Sequence, residues 1–286
     1  MTSRRSNLGL LRLWAAEQLR LTLRAPQAIF FTVVFPLMLL TLFSALLQGP
    51  DGLVTVAGGE VAFAQFFTPS IAAFATLTSC FTGITVGMAM ERDAGILKRV
   101  RSTPLPTPVF IAARVVDKLL LALAAAVVLF SVGVLAFGVH VYPRLLPAAI
   151  VTFLVGAVSF CALGMALGAV VPTASSAVPV VNLVVLPMMV LSGVFSPLEQ
   201  APAWLQHVAD VFPLSHLVRA LGGAFSPHSA GWAFSWPDLA ILLAWGAAGA
   251  LIAAWRFRWE PAQAGTRGRG GRRRRGVHPG VASHPW

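Results

Sequence analysis

No charged side chain occurs between Arg144 and Glu199. That run is longer than one membrane crossing needs, since about 20 helical residues traverse a hydrocarbon core roughly 30 Å thick. Soluble domains are about 25% charged. This chain of 286 residues is 11% charged and 57% hydrophobic. The run has room for two spans, 146–170 and 177–195, with Pro172 and Pro179 in VPTASSAVP marking the turn between them. The same reading places further spans at 27–47, 70–90, 113–137 and 237–255. Trp236 and Trp255 flank the last of these at interface depth. Pro69 is expected to separate an outer leg from the second span. The fold class is therefore all-α integral membrane, with six transmembrane helices.

An even number of spans puts both termini on one side, and charge says which. On the terminal side, segments 1–26, 91–118, 171–176 and 256–286 hold 5, 6, 0 and 8 lysines and arginines, 19 of the 21. The opposite segments keep Arg144 and Arg219 against five acids, Asp51, Glu60, Glu199, Asp210 and Asp238. Basic residues collect on the cytoplasmic side, so the expected orientation is N-in and C-in. The start does not read as a cleavable signal, because Arg4, Arg5, Arg12, Arg20 and Arg24 interrupt it. Three regions follow. Residues 1–26 form a basic inner segment, in which 8–24 can make an amphipathic helix with Arg12, Glu17, Arg20 and Arg24 on one arc and Leu10, Leu11, Trp14 and Leu21 largely opposite. Residues 27–258 form the six-span domain. Residues 259–286 form an Arg/Gly-rich tail read as disordered, whose four consecutive arginines suit anionic lipid rather than nucleic acid.

Catalytic patterns are missing. H-E-x-x-H and G-x-S-x-G do not occur. None of the six histidines has metal-ligand spacing with a second histidine or a cysteine. Cys80 and Cys161 lie in apolar runs and read as small buried hydrophobes. His207, Asp210 and His216 are the only candidates for an intramembrane transferase site. A phosphate-binding loop needs Gly-Lys, but Lys98 follows Leu97 and Lys118 follows Asp117, so no nucleotide site of that kind exists in this sequence. The spans carry essentially no ionisable group at depth, which an ion-coupled transporter needs. Asn182, Thr76, Thr78, Ser79, Thr82, Thr85 and Ser159 read as helix–helix hydrogen-bond partners. Gly83-x-x-x-Gly87 and Gly164-x-x-x-Gly168 offer small faces for close helix approach. No cofactor or metal is implied, and any energy source must be a partner.

The partner's contact should be the largest inner loop, which begins MERDAGILKRVRSTPLP. Ile96, Leu97 and Val100 share a helical stripe, with Glu91, Arg92, Lys98 and Arg99 around it. Gly95 loosens the middle of that helix. Thr103-Pro104 stops it, because the residue before proline avoids the α region. Pro106 and Pro108 stiffen the exit. A solvated loop that merely obeys the charge rule is the competing reading.

This stretch resembles the membrane permease subunits of type-2 ABC transporters, in their drug-resistance (daunorubicin-type) branch. The pattern stands here as Glu91, Arg92, Gly95, Leu97, Arg99, Thr103, Pro104 and Leu105. Pro106-Thr107-Pro108 departs from the usual polar continuation. A second resemblance covers LSGVFSPLEQAPAWLQHVADVFPLSHLVRALGGAF, through Ser192, Gly193, Pro197, Pro202, Trp204, Leu205, Pro213 and Arg219. A third is RAPQAIFFTVVFPL at the start of the first span. The resemblance implies that residues 91–105 dock a separate cytoplasmic ATPase. It also implies that the second segment forms short outer helices dipping back between the fifth and sixth spans. The implied function is a non-enzymatic permease subunit of an exporter in the plasma membrane, paired with a second permease copy and moving a hydrophobic or amphipathic small molecule or lipid. A polysaccharide or glycolipid exporter, and a non-transporting anchor for an ATPase, are the alternatives.

Overall fold

The computed structural model describes residues 7–47, 52–56, 59–96, 99, 107–198, 201–229 and 231–256. The inner segment α1 (Asn7–Leu23) leads into the first span, α2 (Pro26–Leu46). A short antiparallel hairpin follows, β1 (Leu53–Val56) against β2 (Gly59–Ala62), with Leu53 opposite Ala62 and Val56 opposite Gly59. The remaining spans are α3 (Phe63–Asp93), α4 (Thr107–Phe137), α5 (Leu146–Val170) and α6 (Ala174–Leu191). Two short helices, α7 (Ala203–Ala209) and α8 (Pro213–Phe225), precede the last span, α9 (Trp236–Arg256). Among the described residues, six helices are thus long and apolar enough to cross a membrane. They form an all-α membrane bundle, to which the sequence reading had not added a hairpin.

The fifth span runs Ala174–Leu191 where 177–195 was expected, with Pro179 inside the helix rather than in the turn. Two further boundaries differ from the sequence reading, each for a physical reason. Pro69 does not break the second span, because α3 runs continuously through it. A proline removes one helical hydrogen bond. Here it lies in a stretch buried on all sides, where packing of Phe67, Ile71 and Phe74 holds the helix together. The third span starts about a turn and a half earlier than 113, so Arg114, Asp117 and Lys118 are helical.

α3 is the central helix, and its buried face meets α2, α4, α5 and α8. Phe63 stacks on Phe67 at 5.0 Å between ring centroids, and Phe43 and Phe195 close the same cluster. Backbones approach closely where glycine allows. A Cβ at Gly164 would lie 2.7 Å from the Phe81 carbonyl oxygen, and one at Gly249 would lie 2.8 Å from the Leu163 nitrogen. The Gly164/Gly168 face therefore packs as expected. Gly87 faces open space, and Gly83 meets only the flexible Lys118 side chain. In α1, Arg12, Glu17, Arg20 and Arg24 are exposed as expected, while Ala15 and Thr22 turn towards α4. Leu21 is exposed rather than packed.

Candidate coupling layer and re-entrant pocket

At the end of the bundle that carries both termini, three consecutive residues of α3 reach three different helices. Glu91 pairs with Arg114 of α4. Arg92, only 6% exposed, donates Nη1 to the Val171 carbonyl at 2.8 Å and Nη2 to the Gly168 carbonyl. The last carbonyls of a helix have no partner within it and carry negative partial charge, so a guanidinium there satisfies both needs of α5. Asp93 Oδ2 accepts from the Ala174 backbone N–H at 2.6 Å, the mirror-image cap on the start of α6. Thr173 and Ser176 complete that start as a capping box.

The same layer extends to α1. The Arg114 guanidinium lies over the Phe110 ring, 4.7 Å from its centroid, and Phe110 meets Trp14 edge-on at 6.2 Å. Thr22 Oγ1 donates to Asp117 at 3.0 Å and accepts from Lys118 Nζ at 3.1 Å, and Lys118 also pairs with Asp117 at 2.9 Å. Buried charge is tolerated here because each group finds an opposite charge, a helix end or an aromatic face.

Gly95 ends α3 rather than loosening a helix. Its φ is +70°, its N–H bonds to the Arg92 carbonyl at 3.0 Å, and no atom would crowd a Cβ, so the left-handed backbone is what requires glycine. Ile96 and Arg99 are exposed just beyond. Leu97, Thr103, Pro104 and Leu105 lie outside the described residues, as does Val100.

At the opposite end, the segment after α6 folds back into the bundle. Ser192 is fully buried, and Gly193 turns at φ +75° against Leu198. Pro202 caps α7, Trp204 projects outward at 65% exposure, and Pro213 opens α8. α8 then descends until Leu217 packs against Gly156, ten residues into α5 and so about 15 Å below its start. Pro197 and Arg219, with Ser192 and Gly193, line a cavity of about 210 Å³ that is completed by Gln65 and Phe225. Gln65 joins three elements there, donating to the His140 and Phe225 carbonyls at 2.9 and 2.7 Å.

Arg219 and His216 anchor α8 to α9. Arg219 donates to Asp210 at 2.6 Å and to Asp238 at 3.3 Å. His216 places Nδ1 2.7 Å from Asp238 Oδ1 and Nε2 2.9 Å from the Asp210 carbonyl oxygen. Both its ring nitrogens are thus occupied, and His207 is exposed outside this network. Among the described residues no cluster could hold a metal ion. Sequence reasoning weighed Asp238 only as an outer charge and Asp210 as an outer charge or transferase candidate, and it missed Asp93, Asp117 and Gln65 as partners. The adjacency of Glu91, Arg92 and Asp93 at a span end was the available signal.

The family model described as ABC-2 type transporter matches residues 10–225. The chain belongs to that family. Among relatives, YbhR of Escherichia coli (strain K12), named a probable multidrug ABC transporter permease, is 25% identical over 64% of this chain and 50% of its own length. The chain thus spans about half the length of that relative. Ycf38 of Cyanophora paradoxa is 26% identical over 74% of this chain and 72% of itself. YvfS of Bacillus subtilis (strain 168) is 20% identical over 83% of this chain and 93% of itself, and both names assign them to the transport permeases. As an ABC-2 transporter family member with six helices long and apolar enough to cross a membrane among the described residues, the chain is a multi-pass protein of the plasma membrane.

Proposed function

We propose that this chain is the permease subunit of an ATP-driven exporter of the drug-resistance branch, oriented with both termini in the cytoplasm. A separate cytoplasmic ATPase supplies the work and acts on residues 91–105. The observation that carries this reading is the polar layer. Among the helices described, α3 and α4 have the longest connection at the terminal end, and it leaves α3 immediately after three residues tied to α4, α5 and α6, so a force applied to it reaches most of the bundle.

The cargo is an amphipathic or hydrophobic small molecule or lipid, since the spans offer it apolar walls. A second permease copy completes the pathway. Asn182 supports this, because it stands exposed in the middle of the apolar α6 beside Leu183 and Leu186. An amide facing lipid lacks hydrogen-bond partners, and a second copy across that face supplies them. Residues 267–275 of the basic tail associate with anionic lipid.

Copurification with a coexpressed P-loop ATPase, followed by ATP-dependent flux of a fluorescent lipophilic cation such as ethidium in inverted vesicles, tests the reading. Arg99→Glu is expected to reduce copurification at least fivefold. Normal copurification without flux of ethidium or of a labelled phospholipid favours the anchor, and failure of wild-type protein to retain the ATPase overturns the reading.

A further inference from the structure

The first three charged residues of the segment are engaged by other helices of the protein, Arg92 in a buried contact and Asp93 in one at the surface, which separates two roles that the segment would otherwise share. Arg92 is buried, with Nη1 and Nη2 on carbonyls at the end of α5. Asp93 holds the first N–H of α6. These two adjacent positions of one helix therefore grip both sides of the three-residue turn Val171-Pro172-Thr173. The turn is short, and Pro172 within it limits how far it can deform. Carbonyls at the end of α5 and the N–H at the start of α6 each need a partner. Arg92 is only 6% exposed, so little solvent reaches it to provide a substitute, whereas Asp93 stands at the surface and contributes by holding the N–H in a fixed direction.

We propose that Arg92 and Asp93 are positioning residues of a transmission bracket, which makes the inner ends of α5 and α6 move with the end of α3. The ATPase would press on the chain beyond Gly95, and the bracket would deliver that displacement to α6, the helix that presents Asn182. Within the coupling segment 91–105, direct docking then falls to the residues beyond Gly95, while Arg92 and Asp93 pass the displacement on. This proposal rests on the exporter reading above.

The two residues suggest different substitutions. Asp93 serves as an acceptor, which a neutral amide oxygen can replace, so Asp93→Asn keeps the bracket and Asp93→Ala opens it. Arg92 bridges two carbonyls with two nitrogens, whereas Arg92→Lys supplies one compact ammonium on a different stem.

The experiment uses the full chain with its ATPase in lipid nanodiscs, with an environment-sensitive bimane on Val178→Cys, an exposed position in the first turns of α6. Cys80 and Cys161 are buried, and the unlabelled parent reports any background. Bimane emission is read before and after ATP plus vanadate. The Asp93 parent is expected to show a nucleotide-dependent shift. Asp93→Ala should lose at least four-fifths of it while retaining ATPase copurification within twofold, and Asp93→Asn should keep the shift. Arg92→Lys should fall between them.

An undiminished shift in Asp93→Ala overturns the bracket, as does a parent that binds the ATPase but shows no shift. Loss of copurification in Asp93→Ala, with a normal size-exclusion profile, assigns Asp93 to docking instead. A misfolded Asp93→Ala leaves the decision to Asp93→Asn and Arg92→Lys, whose equal loss of the shift overturns the acceptor role. If the parent itself retains no ATPase, the exporter reading is what fails.

Discussion

Arg92 and Arg219 each fasten one helix to another near an end of the bundle, but by different means. Arg92 is buried and takes backbone carbonyls as partners. Arg219 has a side chain that is 37% exposed and takes the carboxylates of Asp210 and Asp238. Carbonyls at a helix end are fixed by the helix, so the first contact has one geometry. Carboxylates on short side chains can rotate and exchange partners with water, so the second has several. The terminal end is thereby built for fidelity of position and the opposite end for rearrangement, which is the division of labour that the proposed exporter requires.

The largest effect that probes this contrast is expected at Arg114. Removing it strands Glu91 in a site that is mostly closed to solvent. Breaking a buried pair by deleting one partner costs about 3–5 kcal/mol. Arg114→Ala should therefore collapse the yield of monodisperse protein and lower the unfolding temperature of what survives. Wild-type behaviour would mean that the terminal layer is wet and no different from the far end.

Arg219→Ala should cost less, on the order of 1 kcal/mol, because solvent screens an exposed pair. Its sharper signature is salt dependence. Raising the ionic strength to about 1 M shortens the screening length to roughly 3 Å. The difference in unfolding temperature between wild type and Arg219→Ala should then shrink. The difference between wild type and Arg114→Ala should not. Equal shrinkage would remove the distinction between the two ends.

The spans were legible because hydropathy is a one-dimensional property. α5 begins and ends where the apolar run predicts, at Leu146 and Val170. The boundary that failed, at the start of α4, failed because Arg114, Asp117 and Lys118 look like loop residues until their partners are known. Those partners, Glu91 and Thr22, lie far away in sequence. The same holds for Arg92, whose carbonyl acceptor Val171 is 79 positions on. Sequence could say that charge gathers at the end of α3. Only the fold brings the α5–α6 turn against it. Glycine spacing shows the same limit: Gly164 is a contact and Gly87 is not, although both sit in the same pattern.

Ser192 gives the smallest expected effect and a test of opposite sign. Its side chain is fully buried at the wall of the re-entrant cavity, and its Oγ has no hydrogen-bond partner in this structure. An unpaired buried hydroxyl carries a desolvation cost of about 1–3 kcal/mol, part of which replacement by a methyl group recovers. Ser192→Ala should therefore leave the unfolding temperature unchanged or raise it by a few degrees, where Arg114→Ala in the terminal layer lowers it. A clear fall in unfolding temperature would mean that the hydroxyl has a partner after all, a bound water or the second permease copy. The re-entrant end would then be as tightly specified as the end that carries Arg92, and the assignment of rearrangement to it would have to be given up.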